Sequence, residues 1–166
     1  MSATSTSLTL ATVSPSTYRD AISHHAAGVA IVTTAVADEP VGLTVSSVAS
    51  HSVEPPTLSC DLALTTRTLP ALRAQGRFAI HLLAEDQAGL ASRFARSGVD
   101  RFADTAWQWW QGLPTPEGAL ANFACEHLTD IEVGDHAVVL GTVTAVAVDE
   151  QQRPLVHQGR GFHRLG

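Results

Sequence analysis

Lysine is absent from the chain, and all ten basic residues are arginines. Charged residues make up only 16% of the sequence, and the formal net charge is −6. Because a protein that binds nucleic acid through phosphates needs clustered basic side chains, these scattered arginines argue against nucleic acid as a main partner. The low charge fraction leaves surface available for a subunit interface.

Cysteine and long apolar runs are also scarce. Cys60 and Cys125 are the only cysteines, and because no CxxC pair occurs we predict two buried free thiols and no metal site. No apolar run reaches the ~20 residues of a membrane-spanning helix. Residues 1–14 are rich in serine and threonine but lack the basic start of a secretory signal, so we expect a flexible tail on a cytoplasmic protein.

Several common catalytic fingerprints are missing from the sequence. Neither GxGxxG nor GxxxxGK[ST] occurs, which removes the usual signals for dinucleotide and triphosphate binding. A hydrolase built on Ser46 or Ser47 with His51 is remote, because no GxSxG elbow is present and the spacing supplies no orienting third group. The chain also lacks the alternation of strand and helix that a doubly wound parallel sheet requires.

Residues 41–50 carry a pattern of period two. Val41, Leu43 and Val45 alternate with smaller or hydroxylated residues, so we interpret the stretch as a strand with one apolar face and one small polar face. Such a face suits a flat ligand with polar edges that lies against the backbone. A plain solvent-exposed sheet face is the alternative.

The rest of the chain indicates about seven strands joined by turns and two or three short helices. A first helix is predicted with Ser14 as its cap and Gly28 at its end. Three tryptophans within 107–110 are expected in a loop-like packed flap. Because closure removes exposed strand edges, we predict one mainly β domain over 15–166, an antiparallel barrel. The predicted strands cover 28–34, 41–50, 57–62, 77–83, 119–131, 136–148 and 155–157, and further helices begin near 68 and 85.

The segment 65–72 combines hydroxyls, Arg67 and a helix start. Thr68 is a good cap, and free backbone N–H groups at a helix start bind anions. An ordinary capped helix without a ligand is the alternative interpretation.

The chain resembles the flavin reductase family, the reductase components of two-component flavin-dependent monooxygenases. The matching pieces keep their order over nearly the whole chain. They are GVAIVTT at 28–34, GLTVSS at 42–47, SVEPP at 52–56, TRT at 66–68, GRF at 76–78, RF at 93–94, DRF at 100–102, GDH at 134–136 and RGFH at 160–163.

This resemblance implies a split β-barrel of Greek-key type that binds FMN or FAD, usually as a homodimer. It implies hydride transfer from NADH or NADPH to a flavin that then diffuses to a partner monooxygenase. The implied flavin contacts are Pro40, Val41, Gly42, Leu43, Thr44, Val45, Ser46, Ser47, Asp61, Leu62, Ala63, Thr66, Arg67, Thr68, Arg93 and Phe94. The implied nicotinamide contacts are His136, Arg160, Gly161 and Phe162, with His136 as the candidate catalytic residue.

Alternatives remain for both the site and the function. Ser47 either contacts the flavin through its hydroxyl or packs as an ordinary strand residue. His136 either contacts the nicotinamide or caps the turn through a bond to Asp135. A non-catalytic flavin carrier on the same barrel is the main alternative function. An oxidase similar to the pyridoxamine-phosphate oxidases is a weaker one, because this acidic chain lacks a basic cluster for a substrate phosphate.

Overall fold

The computed structural model describes residues 13–165, so most of the predicted tail at 1–14 lies outside the described part. Its elements, in chain order, are α1 (Pro15–Ile22), β1 (Ala27–Gly28), β2 (Ala30–Val36), β3 (Glu39–Val45), β4 (Ala49–Val53), β5 (Pro56–Ala63), α2 (Thr68–Gln75), β6 (Arg77–Leu82), α3 (Ala88–Ala95), β7 (Trp107–Trp110), β8 (Leu113–Pro116), β9 (Ala121–Val133), β10 (His136–Val148), β11 (Leu155–Gln158) and β12 (Gly161–Arg164). Among these residues, no helix is long and apolar enough to cross a membrane.

Seven strands form one antiparallel sheet in the order β3-β2-β6-β9-β10-β5-β4. Residues from β2, β3, β5, β6, β9 and β10 meet in one buried cluster that includes Val32, Val45, Leu62 and Phe78. The sheet therefore curls around a single core. It stays open between its edge strands β3 and β4, as expected for the mainly β split barrel that was predicted.

Helix α2 closes the core from one end. Its Leu69 and Leu72 are 1% and 0% exposed and belong to the same cluster as the strand residues. The helix ends at Gly76, which takes the left-handed conformation at φ 66° and donates its N–H to Leu72 O. The Thr65–Thr68 turn is thereby fixed at the end of β5, beside the sheet.

A second layer covers the outer face of β2 and β3. Helix α3 buries Ala91 and Phe94 against Val29, Ile31 and other apolar residues of this layer. The small sheet β1-β11-β12 packs on the same side. Strand β12 is absent from the predicted elements.

Three sequence predictions of local structure need correction. The strand predicted over 41–50 ends at Val45, and Ala49 begins β4 at the opposite edge of the sheet. The first helix begins at Pro15 with the Ser14 hydroxyl accepting from Thr17 N, as predicted, but it ends at Ile22 because Ala27 and Gly28 pair with β11. The tryptophan segment is a strand rather than a loop, because Gln111 and Gly112 take positive φ values of 53° and 72° and turn the chain into the β7–β8 hairpin.

Candidate active site

An open cleft of about 1010 Å³ lies outside the barrel, between β3, the turn before α2, and the chain that follows α3. This volume is at the upper end of the range typical of small-molecule sites. Its walls are formed by Glu39, Pro40, Val41, Gly42, Thr65, Thr66, Arg67, Thr68, Ser97, Gly98, Val99, Asp100, Arg101, Phe102, Ala103 and Trp107. The N-terminal half of β3, up to Gly42, and the arginine-bearing turn therefore line one cleft.

The small face of β3 does not point into this cleft. A Cβ on Gly42 would lie 2.8 Å from Val32 O and 3.3 Å from the Phe94 ring, and the Thr44 hydroxyl donates to Ala91 O at 2.7 Å. Small residues are required here because α3 packs closely on the strand. The Gly42 and Thr44 side of β3 therefore packs on α3, and within one chain only the N-terminal half of β3, up to Gly42, lines the cleft. The interpretation of this face as a shelf for a flat ligand stays a prediction.

The anion end of the cleft is the Thr65–Thr68 turn. Arg67, not Thr68, is the N-cap of α2, and no side chain caps this helix start. The first backbone N–H groups of α2 are thus left without a side-chain acceptor, which is the arrangement that favours an anion. The Thr66 Oγ1 atom is buried and has no hydrogen-bond partner among the residues that the structure describes, so this turn offers unused donors.

The segment from Ser97 to Trp107 forms the wall that sequence reasoning missed. Asp100 Oδ1 accepts from Phe102 N at 3.0 Å and Ala103 N at 3.1 Å, which folds the segment into a tight turn. Phe102 stacks edge-on against Trp107, with ring centroids 5.6 Å apart. The DRF motif at 100–102 was the available signal, but no role had been assigned to it.

Arg101 fastens this wall to the strand. Its Nη1 donates to Gly42 O at 2.6 Å, and its Nε and Nη2 donate to Arg96 O at 2.9 and 2.7 Å. Partial burial lowers the pKa of its guanidinium. Ion pairs in the described part use the cations Arg73, Arg160, His127 and His136, so neither Arg67 nor Arg101 is neutralised within 4 Å.

Several predicted flavin contacts lie away from the cleft. Ser47 Oγ accepts from Asp61 N at 2.8 Å and so joins the chain after β3 to β5. Arg93 lines a separate pocket of about 390 Å³ on the outer side of α3, and Phe94 is fully buried behind Gly42. The other predicted contacts that do not line the cleft are Leu43, Thr44, Val45, Ser46, Asp61, Leu62 and Ala63, of which Val45 and Leu62 are core residues.

The predicted nicotinamide residues fall into two groups. His136 pairs with Ala63 across β10 and β5, and its Nδ1 lies 2.7 Å from Asp135 Oδ1, a bond that lowers the pKa of Asp135. Since Leu64 N donates to Asp135 O, this histidine turn is held next to the anion turn.

Arg160, Gly161 and Phe162 lie elsewhere, in the β11–β12 hairpin. Arg160 pairs with Asp20 of α1, and Phe162 packs on the layer around α3. One chain therefore does not bring this group to His136 or into the cleft.

Comparison with known proteins identifies the relatives of this chain. The flavin reductase like domain matches residues 22–166. The NADH:FMN oxidoreductase of Rhodococcus qingshengii is 40% identical over 154 residues, which cover 87% of this chain and 79% of that protein. The reductase component of 4-nitrophenol 4-monooxygenase/4-nitrocatechol 2-monooxygenase from Rhodococcus opacus is 36% identical over 146 residues, covering 88% and 79%.

A solved structure shares the whole architecture. NADH:FAD oxidoreductase SgcE6 of Streptomyces globisporus C-1027, in complex with NAD and FAD fragments, superposes with a TM-score of 0.87 at 28% identity, covering 95% of this chain and 98% of that one. The open seven-stranded sheet, the cleft beside β3 and the family match over residues 22–166 together show that this chain belongs to the flavin reductase family.

Proposed function

We propose that this protein is an NAD(P)H:flavin oxidoreductase that transfers hydride from NADH or NADPH to FMN or FAD. One observation carries the proposal beyond family membership. The cleft joins the backbone of β3 from Pro40 to Gly42 with a buried Thr66 hydroxyl and two cations, Arg67 and Arg101. Within residues 13–165, this hydroxyl has no partner and these cations form no ion pair. This donor set suits a planar ring that carries a phosphate.

The residues present fit a flavin. A phosphate has acceptor oxygens for the Thr66 hydroxyl, the Arg67 guanidinium and the first amides of α2, and charge-assisted bonds of this kind are the strong ones. The backbone from Pro40 to Gly42 would support the ring edge, and Trp107 with Phe102 would shield it from water. When bound, flavin supplies the hydride acceptor, so the protein needs to position and tune it and requires no nucleophile of its own.

His136 is the proposed nicotinamide contact. It lies beside the anion turn, and about half of its side chain is exposed at 48%. The carboxylate of Asp135 fixes its ring through Nδ1 and leaves Nε2 facing outward. His136→Ala should raise the KM for the nicotinamide, or lower kcat, more than it changes flavin affinity.

We also propose a homodimer. Strands β9 and β10 expose large apolar side chains at Leu128, Ile131, Val133, Val146 and Val148, each between 53% and 59% exposed. Apolar surface of this extent on two adjacent strands supports an interface with a second copy. Light scattering after size exclusion checks the mass, and Ile131→Glu should shift it to that of one chain.

The relatives support a partner as well. Several are reductase components of monooxygenases, and we propose that this protein supplies reduced flavin to such an oxygenase in the cytoplasm. The two free, buried thiols, Cys60 and Cys125, are consistent with that compartment.

One assay tests the activity. Purified protein is mixed with NADH or NADPH and a catalytic amount of FMN or FAD, and absorbance at 340 nm is followed in air. Catalytic loss of absorbance is expected. Flavin binding without nicotinamide oxidation would instead identify a carrier, and absence of both would refute the proposal.

A further inference from the structure

Arg101 carries a charge that its structural contacts do not require. The guanidinium has five N–H donors, and three of them bind the carbonyls of Gly42 and Arg96. Attachment of the wall to β3 explains these hydrogen bonds, and an uncharged amide side chain at this position could donate one of them. The positive charge and the two remaining N–H groups are unexplained by the fold.

The charge is also uncompensated where it lies. Two carboxylates line the same cleft, those of Glu39 and Asp100. Asp100 is occupied by the amides of Phe102 and Ala103, and neither carboxylate approaches Arg101 within 4 Å. Arg101 is partly buried, so water and salt screen its charge only in part.

The position of this charge follows from the cleft. Arg101 Nη1 is 2.6 Å from Gly42 O, and Gly42 is the last residue of β3 that lines the cleft. A ring that lies against the strand at Gly42 is therefore within a few ångströms of the guanidinium. Arg67 lies at the anion turn, so the two cations would act on different parts of the ligand.

We propose that Arg101 is a ligand of the flavin ring that stabilises the reduced state more than the oxidised state; this rests on the proposed function. Hydride transfer moves two electrons and one proton from nicotinamide C4 to flavin N5, and the nicotinamide leaves as a cation. The ring of the product therefore carries one more negative charge than that of the oxidised flavin. A fixed cation beside it favours the charged state without reorganisation.

The test compares affinities for the two redox states of FMN. Dissociation constants are measured for oxidised FMN in air and for dithionite-reduced FMN under argon, with wild type, Arg101→Gln, Arg101→Lys and Arg19→Gln. Arg19 is an exposed residue of α1 outside the cleft, so its variant controls for loss of one positive charge.

We expect the preference of wild type for reduced FMN to fall about tenfold in Arg101→Gln, which corresponds to ~30 mV in the two-electron potential. Arg101→Lys should keep the preference within about threefold although it binds both states less tightly, and Arg19→Gln should match wild type. Added salt should lower the wild-type preference. The phosphate contacts of Arg67 affect both states alike, so they cancel in this ratio.

Other outcomes overturn the assignment. Equal weakening of both affinities in Arg101→Gln would mean that Arg101 only fastens the wall, and unchanged affinities would mean that it does not meet the ring. If Arg101→Gln does not fold, the Arg101→Lys variant and the salt dependence decide. The proposed role of Arg101 is refuted if the folded lysine variant loses the preference for reduced FMN, or if that preference does not change with salt. Wild type that binds no flavin refutes the proposed function itself, whereas an active wild type with an unaltered ratio in Arg101→Gln refutes only the role of Arg101.

Discussion

Strand β3 belongs to two different environments, since Val45 near its end lies in the barrel interior while Pro40 to Gly42 line the cleft. The interior is mostly apolar and closely packed, and its buried polar side chains Thr33, Thr34, Ser59 and His81 are hydrogen-bonded. The cleft contains a buried hydroxyl and two cations that, in the part of the chain the structure describes, have no hydrogen-bond partner and no ion pair respectively. Stability should therefore reside in the interior and ligand affinity in the cleft, and substitutions in the two regions should have separable effects.

The largest loss of stability is expected for Gly141→Val in the interior. A Cβ at Gly141 would lie 2.5 Å from Phe78 Cζ and 2.9 Å from Cys125 Cβ, and Phe78 is fully buried and unable to move aside. Overpacking of this kind should lower the free energy of unfolding by about 3 kcal/mol. Urea denaturation measures the change.

Gly28→Val is the matched control for this substitution. Gly28 lies in a strand, and nothing is within 4 Å of its added Cβ. It should change stability by less than ~0.5 kcal/mol. A similarly small loss for Gly141→Val would show that the interior is looser than its packing indicates.

The barrel interior and the cleft also differ in whether their ionisable side chains are charged. His81 is fully buried behind the barrel wall, with Nε2 2.9 Å from Thr33 Oγ1 and Nδ1 2.7 Å from Asn122 Oδ1. Desolvation lowers its pKa from 6.5 to about 4. The barrel therefore keeps this group neutral, whereas the cleft keeps Arg101 charged.

The lowered pKa makes stability depend on pH. The unfolded chain takes up a proton at His81 below about pH 6.5 and the folded chain does not, so stability is fully present above 6.5 and falls by about 3 kcal/mol as the pH drops toward 4. His81→Gln should remove most of this slope in urea denaturation, and His25→Gln, at an exposed site, should leave it. Asp130 is salt-bridged and its pKa is lowered, so its contribution to stability is lost only as the pH falls through that lowered pKa. An unaltered slope in His81→Gln would assign the pH dependence to other groups.

In the cleft, Arg67→Ala should affect the ligand and spare the fold. Arg67 is exposed and forms no ion pair with the described residues, so the midpoint of thermal unfolding without ligand should stay unchanged. Loss of one charge-assisted contact to a phosphate should weaken FMN binding by about 10- to 100-fold and reduce its dependence on salt. Titration of FMN at two salt concentrations checks this, with Arg19→Ala as the control.

Unchanged affinity in Arg67→Ala would remove the phosphate assignment. It would leave Thr66 and the amides of α2 as the anion site. Riboflavin, which lacks the phosphate, gives a further check, because its affinity should be the same in wild type and in Arg67→Ala.

The same contrast explains what could be predicted from sequence. The long β10 strand was predicted with its observed ends, because continuous β-branched residues determine the strand locally. The start of α2 after Arg67 was placed correctly, since a turn into a helix is a local feature, and anion binding there stays a prediction. Thr68 was expected as the cap, but the chain enters the helix one residue earlier and the threonine is buried instead.

The features of the site that could not be predicted from the sequence depend on contacts between segments distant in sequence. Whether the small face of β3 meets a ligand or a helix is decided by α3, some 45 residues later, where Ala91 and Phe94 cover it. The Ser97–Trp107 wall has no periodic pattern, and the hydrogen bond from Arg101 to Gly42, between residues distant in sequence, joins it to the strand. Period-two alternation alone could not distinguish a strand face that meets a ligand from one that is covered by a helix.

The smallest expected effect is a gain of stability at the rim of the cleft. Ala37 and Asp38 turn the chain between β2 and β3 with φ values of 49° and 66°, a conformation that asparagine tolerates better than alanine. Ala37→Asn should therefore raise the free energy of unfolding by about 0.5–1 kcal/mol. Ala74→Asn in α2 should lower it by ~0.5 kcal/mol, because that site is helical. FMN affinity should not change, since the pairing of Pro40 with Ala35 is kept; a loss of affinity would show that this turn, and not only the strand behind it, takes part in binding.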